Sequence, residues 1–200
     1  FLPALFNLTI SKEEGTTKKI ELIEELAANK QKEYIFAHFM LPHPPYVFNA
    51  EGALSNYNDS EFYNNVWLDK KGYIGQLIYT NYLIKGLIEN ILKNNENNPI
   101  VIIASDHGSF STYKNSSDFT DRLVNERMKN FIAIFTNDTK LNSYNDSTQI
   151  LSPVNIFPLI FNNYFNGNFK IKENKSYYSP YTENNKFEDV TELIKFNTEW

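Results

Sequence analysis

Apolar residues recur along this chain with two different periods, and each change of period marks an element. Ile20, Ile23, Leu26 and Ala27 form one stripe at helical spacing, with Glu21, Glu24 and Glu25 off it. That spacing predicts a covering helix that begins at a Thr16 or Thr17 cap and ends near Asn29. A longer helix is predicted over 72–94, where Ile74, Leu77, Ile78, Ile84, Leu87, Ile88, Ile91 and Leu92 step by three and four. The polar break Asn94-Asn95-Glu96-Asn97-Asn98-Pro99 stops it. The period then disappears. Ile100 to Ile103 is an unbroken β-branched run, which predicts a strand buried on both faces, the usual state in a parallel sheet. Phe131 to Thr136 and Glu33 to Met40 read as two further strands. Ser152-Pro153 has the cap and first-turn residues of a helix start, with Ile156, Leu159, Ile160, Tyr164 and Phe165 as its buried side. Pro158 stands about a turn in, placed to kink or restart that helix. Residues 170–200 read as short strand-like pieces and turns. The whole predicts an α/β fold, a largely parallel sheet flanked by helices, in a single domain over 1–200 without repeats or an internal linker.

Two of these strands run into loops that carry chemistry. The run at 100–104 stops in Ser105-Asp106-His107-Gly108. An open α/β sheet places ligands outside the carboxyl ends of its strands. A carboxylate beside an imidazole suits Zn²⁺, Mn²⁺ or a similar divalent ion, and Gly108 allows a sharp turn there. The strand candidate at 33–40 runs into Leu41-Pro42-His43-Pro44-Pro45-Tyr46-Val47-Phe48. Three prolines around one His make a stiff loop with few backbone donors, suited to holding an imidazole in place. His38 lies inside the strand candidate and reads as a hydrogen-bonded core or near-site residue, not a ligand. Trp67 and Tyr63 are surface packing or the lining of a substrate cleft. Arg122 and Arg127 belong to a salt-bridged surface face or bind an anion.

Composition narrows the class. The 200 residues suffice for a real core, and 13 Tyr with 16 Phe favour a packed fold over a disordered one. A net charge of −5 argues against a nucleic-acid partner. There is no Cys, so disulfides and thiolate chemistry are excluded. No stretch is apolar for long enough to span a bilayer. No signal-peptide pattern stands at the start, and the abrupt Phe-Leu-Pro-Ala-Leu-Phe opening reads as part of something longer. Asn-x-Ser/Thr triplets at Asn7, Asn58, Asn115, Asn137 and Asn145 are better explained by the abundance of Asn than by glycosylation.

Ser-Asp-His-Gly after a hydrophobic strand resembles the second metal motif of the alkaline phosphatase superfamily, whose members include sulfatases, phosphatases and phosphoglycerol or phosphoethanolamine transferases. The Pro-His-x-Pro loop is similar to a second landmark of the sulfatase-like members. The form Leu-Pro-His-Pro-Pro-Tyr-Val-Phe followed by Asn49-Ala50-Glu51-Gly52 looks like the membrane-associated bacterial type. Order supports the pair: Pro-His-Pro loop, Tyr-rich helix, polar break, hydrophobic strand, Ser-Asp-His-Gly. The resemblance implies a three-layer α/β/α fold, of which this chain is the carboxyl-terminal portion. It carries metal binding onto Asp106 and His107, and contact with the substrate anion onto His43. It implies a divalent metal (Zn, Mn, Ca or Mg), a sulfate or phosphate ester substrate, and a parent protein at the outer face of a bacterial membrane or in the cell envelope. A lipid head group or an envelope polysaccharide would carry the ester.

The family's nucleophile and first acidic ligand find no counterpart here, and the further His or Lys that many relatives place downstream has only Lys129 and Lys140 as substitutes. Two ligands are fewer than the usual four, so the chain alone is expected to be inactive. Two other readings stay open. One is a degenerate binding or scaffold module of the same fold. The other is an unrelated α/β domain, in which His43 and His107 would lie far apart. In the enzyme they face one cleft, within about ten ångströms.

Overall fold

The computed structural model describes residues 12–29, 33–55, 69–94, 98–110, 121–141, 151–179 and 186–194. Tyr63, Trp67, Asn7, Asn58, Asn115 and Asn145 lie outside them. The chain divides into two compact units, Phe1–Pro99 and Ile100–Trp200.

In the first unit, α1 spans Lys12–Ala27 and α2 spans Lys70–Asn94. α1 starts about a turn before the expected cap, so Thr16 lies inside the helix and is buried. The two helices pack together, and Asn90 donates a 2.7 Å hydrogen bond to Glu24 Oε1. On α2 the carboxyl-terminal half buries Leu87, Ile88 and Ile91 as the period predicts. Its amino-terminal half is turned from the expected stripe. Ile74 and Ile78 are half exposed, and the buried edge there is Gln76, with Tyr79 and Leu83 a turn and two turns on.

That edge carries the proline loop. Leu41, Val47 and Phe48 form a small core with Tyr79 and Leu83. The Phe48 and Tyr79 rings lie 4.9 Å apart. A tight turn follows at 49–53, where Asn49 Oδ1 accepts from the backbone N–H of Glu51 and Ala53. Gly52 sits in the left-handed region at φ 84°, its Cα against the Tyr79 ring. The expected strand at 33–40 is not one. This stretch has no ladder partner among the described residues, and Tyr34 and Phe36 are about four-fifths exposed. A β pattern needs a neighbour to satisfy its backbone, and none of the described residues provides one.

In the second unit, β1 (Val101–Ala104) pairs with β2 (Ile132–Phe135) in register Val101 to Phe135 and Ala104 to Ile132. The pairing is antiparallel, which corrects the expectation of a parallel sheet. The cause is the segment between them. A short helix, α3 (Asp121–Arg127), lies between them. Its last turn is fastened to the carboxyl end of β1, where Gly108 N–H donates to Arg127 O at 2.7 Å and Asn130 Nδ2 donates to Ser105 O and Asp106 O. The chain therefore enters β2 from that same end and runs back alongside β1. Ser105 extends the ladder by a pair of bonds with Phe131. β1 is half buried rather than buried on both faces, because β2 is its one partner among the described residues.

A 3₁₀ turn at Pro153–Asn155 leads into α4, Ile156–Tyr164. Pro158 lies in the first turn of α4, where its missing N–H has no intrahelical partner to lose. Ser152 makes no capping bond through its side chain. Asn155 does the local work instead. It is buried, and its amide clasps the Lys172 backbone from both sides at 2.9 and 2.8 Å. Ile156, Leu159 and Ile160 are buried as expected, whereas Phe165 is two-thirds exposed. A ribbon of β3 (Tyr177–Tyr178) and β4 (Glu188–Asp189) follows.

Candidate functional site

Asp106 and His107 stand where β1 ends. Ser105 O and Asp106 O are both held by Asn130 Nδ2, so the backbone of the pair is fixed from the far side of α3. Gly108 is needed here for space. Its φ is not in the left-handed region, but a Cβ would fall 2.1 Å from Glu126 O and 2.7 Å from Lys129 O. The helix end thus packs directly on the loop.

The Asp106 side chain is exposed and that of His107 about one-third exposed, with His107 Nε2 3.3 Å from Asp106 Oδ2. Two ligands each about 2.0–2.1 Å from a tetrahedral metal are roughly 3.3 Å apart, so this pair has the spacing of two neighbours on one ion. His107 Nδ1 lies 2.8 Å from Gly108 O, the backbone contact that commonly orients a metal-binding imidazole. Nδ1 is also 2.6 Å from Arg127 Nη1, and the same guanidinium carbon sits 5.0 Å over the Phe110 ring. The two residues therefore fit a divalent cation as far as two ligands go. No third acidic or imidazole ligand joins them among the described residues.

Beside the pair is a cleft of about 260 Å³, lined among others by Phe110, Arg127, Asn130, Tyr177 and Tyr178. Its walls are aromatic and aliphatic, and its polar groups include a guanidinium, an amide, Ser179 and the Asp–His pair, a set suited to an organic anion.

His43 belongs to the first unit. It is exposed, its backbone N–H donates to Met40 O at 2.8 Å, and its Nδ1 makes a short contact with Pro44 O. A carbonyl accepts, so Nδ1 carries the proton and a neutral ring has its lone pair on Nε2. The loop is held by Gln76, which is fully buried. Its Nε2 faces the carbonyls of Pro42, His43 and Pro45 at 3.2, 3.0 and 3.3 Å, and its Oε1 accepts from Phe48 N–H at 3.3 Å. Prolines leave carbonyls without matching N–H groups, and the two hydrogens of this amide are shared among three carbonyls, of which Pro45 O also accepts from Val47 N–H at 3.0 Å. Burial, followed by the nearby Asp69 and Tyr73, pushes the Tyr46 phenol in this loop up to about 12.

The family model of the sulfatases matches residues 8–163, more than three quarters of the chain. The chain belongs to the sulfatase family. No curated protein and no solved structure matches it. Sulfatase membership carries an alkaline phosphatase-like α/β fold, action on sulfate esters and, in general, use of a divalent metal. Both motifs, at His43 and at Asp106-His107, fall inside the matched span, whereas Tyr177 and Tyr178 of the cleft lie beyond it. Of the other residues singled out in this sulfatase chain, His38 is exposed and not in a core, and its carbonyl accepts from Lys19 Nζ. Arg122 is exposed. Lys140 packs its ammonium 4.9 Å over the Tyr164 ring. Lys129 contributes its backbone to the packing on Gly108. No described helix is long and apolar enough to cross a membrane.

Reading the sequence alone missed Gln76, Asn130 and the partner that Arg127 chooses. Gln76 had a signal: it is a polar residue in line with Leu83 and Leu87 on the apolar side of a helix.

Proposed function

We propose that this chain is the carboxyl-terminal portion of a metal-dependent sulfatase-like enzyme acting on sulfate or phosphate esters of the bacterial cell envelope. Hydrolysis and transfer of a phosphoglycerol or phosphoethanolamine group are both within the chemistry of such a site, with a lipid head group or polysaccharide bearing the ester. Asp106 and His107 are the metal ligands, and His43 contacts the substrate anion. The observation that carries the reading is the 3.3 Å spacing of Asp106 Oδ2 and His107 Nε2 in a family that generally uses a divalent metal. The envelope follows from the form of the proline loop alone.

In such an enzyme the bound cation supplies Lewis acidity toward the ester oxygens. The remaining roles belong to the chain. The Asp106 carboxylate lowers the charge cost of a cation, and His107 gives a directed nitrogen once Nδ1 holds the proton. The His43 ring, when protonated, donates from Nε2 to a non-bridging oxygen, and Gln76 keeps the loop that bears it rigid. Residues 1–200 offer no counterpart of the family's nucleophile and two of about four ligands, so the chain alone does not turn over ester and binds metal weakly or not at all. Calorimetric titration with Zn²⁺ and Mn²⁺, and assay with nitrophenyl phosphate and sulfate, test this; sub-micromolar binding or turnover overturns it. In the complete enzyme Asp106→Ala is expected to lower activity at least about 100-fold, and full activity would remove the metal role.

A second reading, a non-catalytic module of the same fold, is favoured by the ligand pair's lack of a third member among the described residues. It differs in one result: the complete protein would bind its target and show no turnover with any metal.

A further inference from the structure

We propose that Arg127 is a positioning residue that sets which ring nitrogen of His107 carries the proton, and so whether His107 can join Asp106 on a divalent cation. The inference rests on the metal reading above and deepens it.

The two contacts at His107 Nδ1 require opposite states. Arg127 has only donors and keeps its charge at any ordinary pH. Its Nη1, 2.6 Å from Nδ1, needs a lone pair there. Gly108 O, 2.8 Å from the same nitrogen, has only lone pairs and needs a proton there. One neutral ring cannot meet both.

With Arg127 engaged, Nδ1 accepts and the single ring proton sits on Nε2, where it points at Asp106 Oδ2 3.3 Å away. Guanidinium, imidazole and carboxylate then form a closed line, donor to acceptor, with the two charges at its ends in balance. Neither ring nitrogen is available to a metal in that state. With Arg127 withdrawn, Nδ1–H donates to Gly108 O and the lone pair lies on Nε2, beside the Asp106 carboxylate. The exchange moves one proton from Nε2 to solvent and takes one from solvent at Nδ1, so the ring stays neutral and no net proton is lost. A divalent cation and a guanidinium on one imidazole also repel each other, which ties loading to the withdrawal of Arg127.

The side chain can withdraw without dismantling the loop. Gly108 N–H is held by the backbone carbonyl of Arg127, not by its guanidinium. Withdrawn from Nδ1, the guanidinium still has Gly108 O, 3.4 Å from Nη1, and the Phe110 face. There it lines the same cleft as an anion-facing cation.

The test uses the ¹⁵N-labelled chain, whose three histidines allow assignment by single substitution. In metal-free protein, imidazole nitrogen shifts are expected to show His107 with its proton on Nε2. Arg127→Met is expected to move it to Nδ1, with Arg127→Lys, which keeps a donor cation, in between. Titrated with Mn²⁺ in the complete enzyme, Arg127→Met is expected to bind about tenfold more tightly than wild type, the scale of an outer-shell change. An amide spectrum shows whether each variant is folded; should Arg127→Met not fold, Arg127→Gln and Arg127→Lys make the same comparison. An unchanged tautomer, or weaker binding in the variant, overturns the proposal. A tautomer change in the chain, with no metal uptake by the complete enzyme with or without Arg127→Met, sustains the role of Arg127 and refutes the metal reading instead.

Discussion

A single side chain with several partners decides more here than any single apolar contact. Gln76 is the example. Its amide reaches three carbonyls and one N–H of the proline loop while fully buried. Gln76→Ala would remove these bonds, leaving Pro45 O its bond from Val47 N–H, and open a cavity. The expected cost is about 3 kcal/mol, read as a shift of the urea midpoint, and a loss below about 0.5 kcal/mol would show that the loop stands without it. Tyr46 is the second case. Its phenol is raised to about 12 in the folded state against an ordinary 10.0, burial being the largest cause. Absorbance titration of tyrosinate is expected to show a late-ionising group near 12 that disappears in Tyr46→Phe, while the raised Tyr164 phenol remains. The chemistry of the residues was legible from the sequence, since carboxylate, imidazole and proline declare themselves. Their partners were not. Nothing in the order of residues says that Arg127 turns to His107 rather than to a surface carboxylate, because that choice depends on where α3 ends.

Elements were legible in proportion to their length. α2 is 25 residues long and stands where its period placed it, though Ile74 and Ile78 are half exposed and Gln76 is buried. β1 and β2 are present where the apolar runs placed them, but a run of apolar residues does not name its neighbour or its direction. Residues 33–40 have the composition of a strand and no ladder. α3, seven residues long in a polar stretch, has too little pattern to be seen, and its docking reverses the expected direction of the pair. The seam between α3 and the end of β1 is closed by Gly108. Gly108→Ala is expected to destabilise the chain by at least about 2 kcal/mol, because its Cβ meets backbone that cannot rotate away. Amide shifts of Asp106 and His107 are expected to move with it, and a thermally silent substitution would show that the seam is loose.

At the scale of the molecule, acid and alkali act on different groups. In the second unit, Asp138 is held below its ordinary value by the Lys140 backbone N–H and the Tyr164 hydroxyl. Asp189 is held low by Thr191 through side chain and backbone. A lowered carboxyl contributes stability above about 3.8 that is lost as pH falls through the folded value. In the first unit Tyr46 contributes below pH 10 and loses that contribution as pH rises toward about 12. Acid is therefore expected to loosen residues 100–200 first, whereas alkali withdraws a contribution from both units, because burial and the hydrogen bond to Asp138 also raise the Tyr164 phenol of the second. Amide exchange followed by mass analysis would locate each, with Asp138→Asn flattening the acid limb and Tyr46→Phe the alkaline limb of the first unit. If both units opened together in acid, these carboxyls would not be what limits them.

One consequence remains of the way Arg127 is used. The same residue clips the turn at Gly108 through its peptide oxygen and addresses the imidazole through its tip. The first attachment is indifferent to which amino acid occupies the position, and the second depends on nothing else. A lineage can therefore exchange the tip, and with it what the imidazole faces, while the turn keeps its shape.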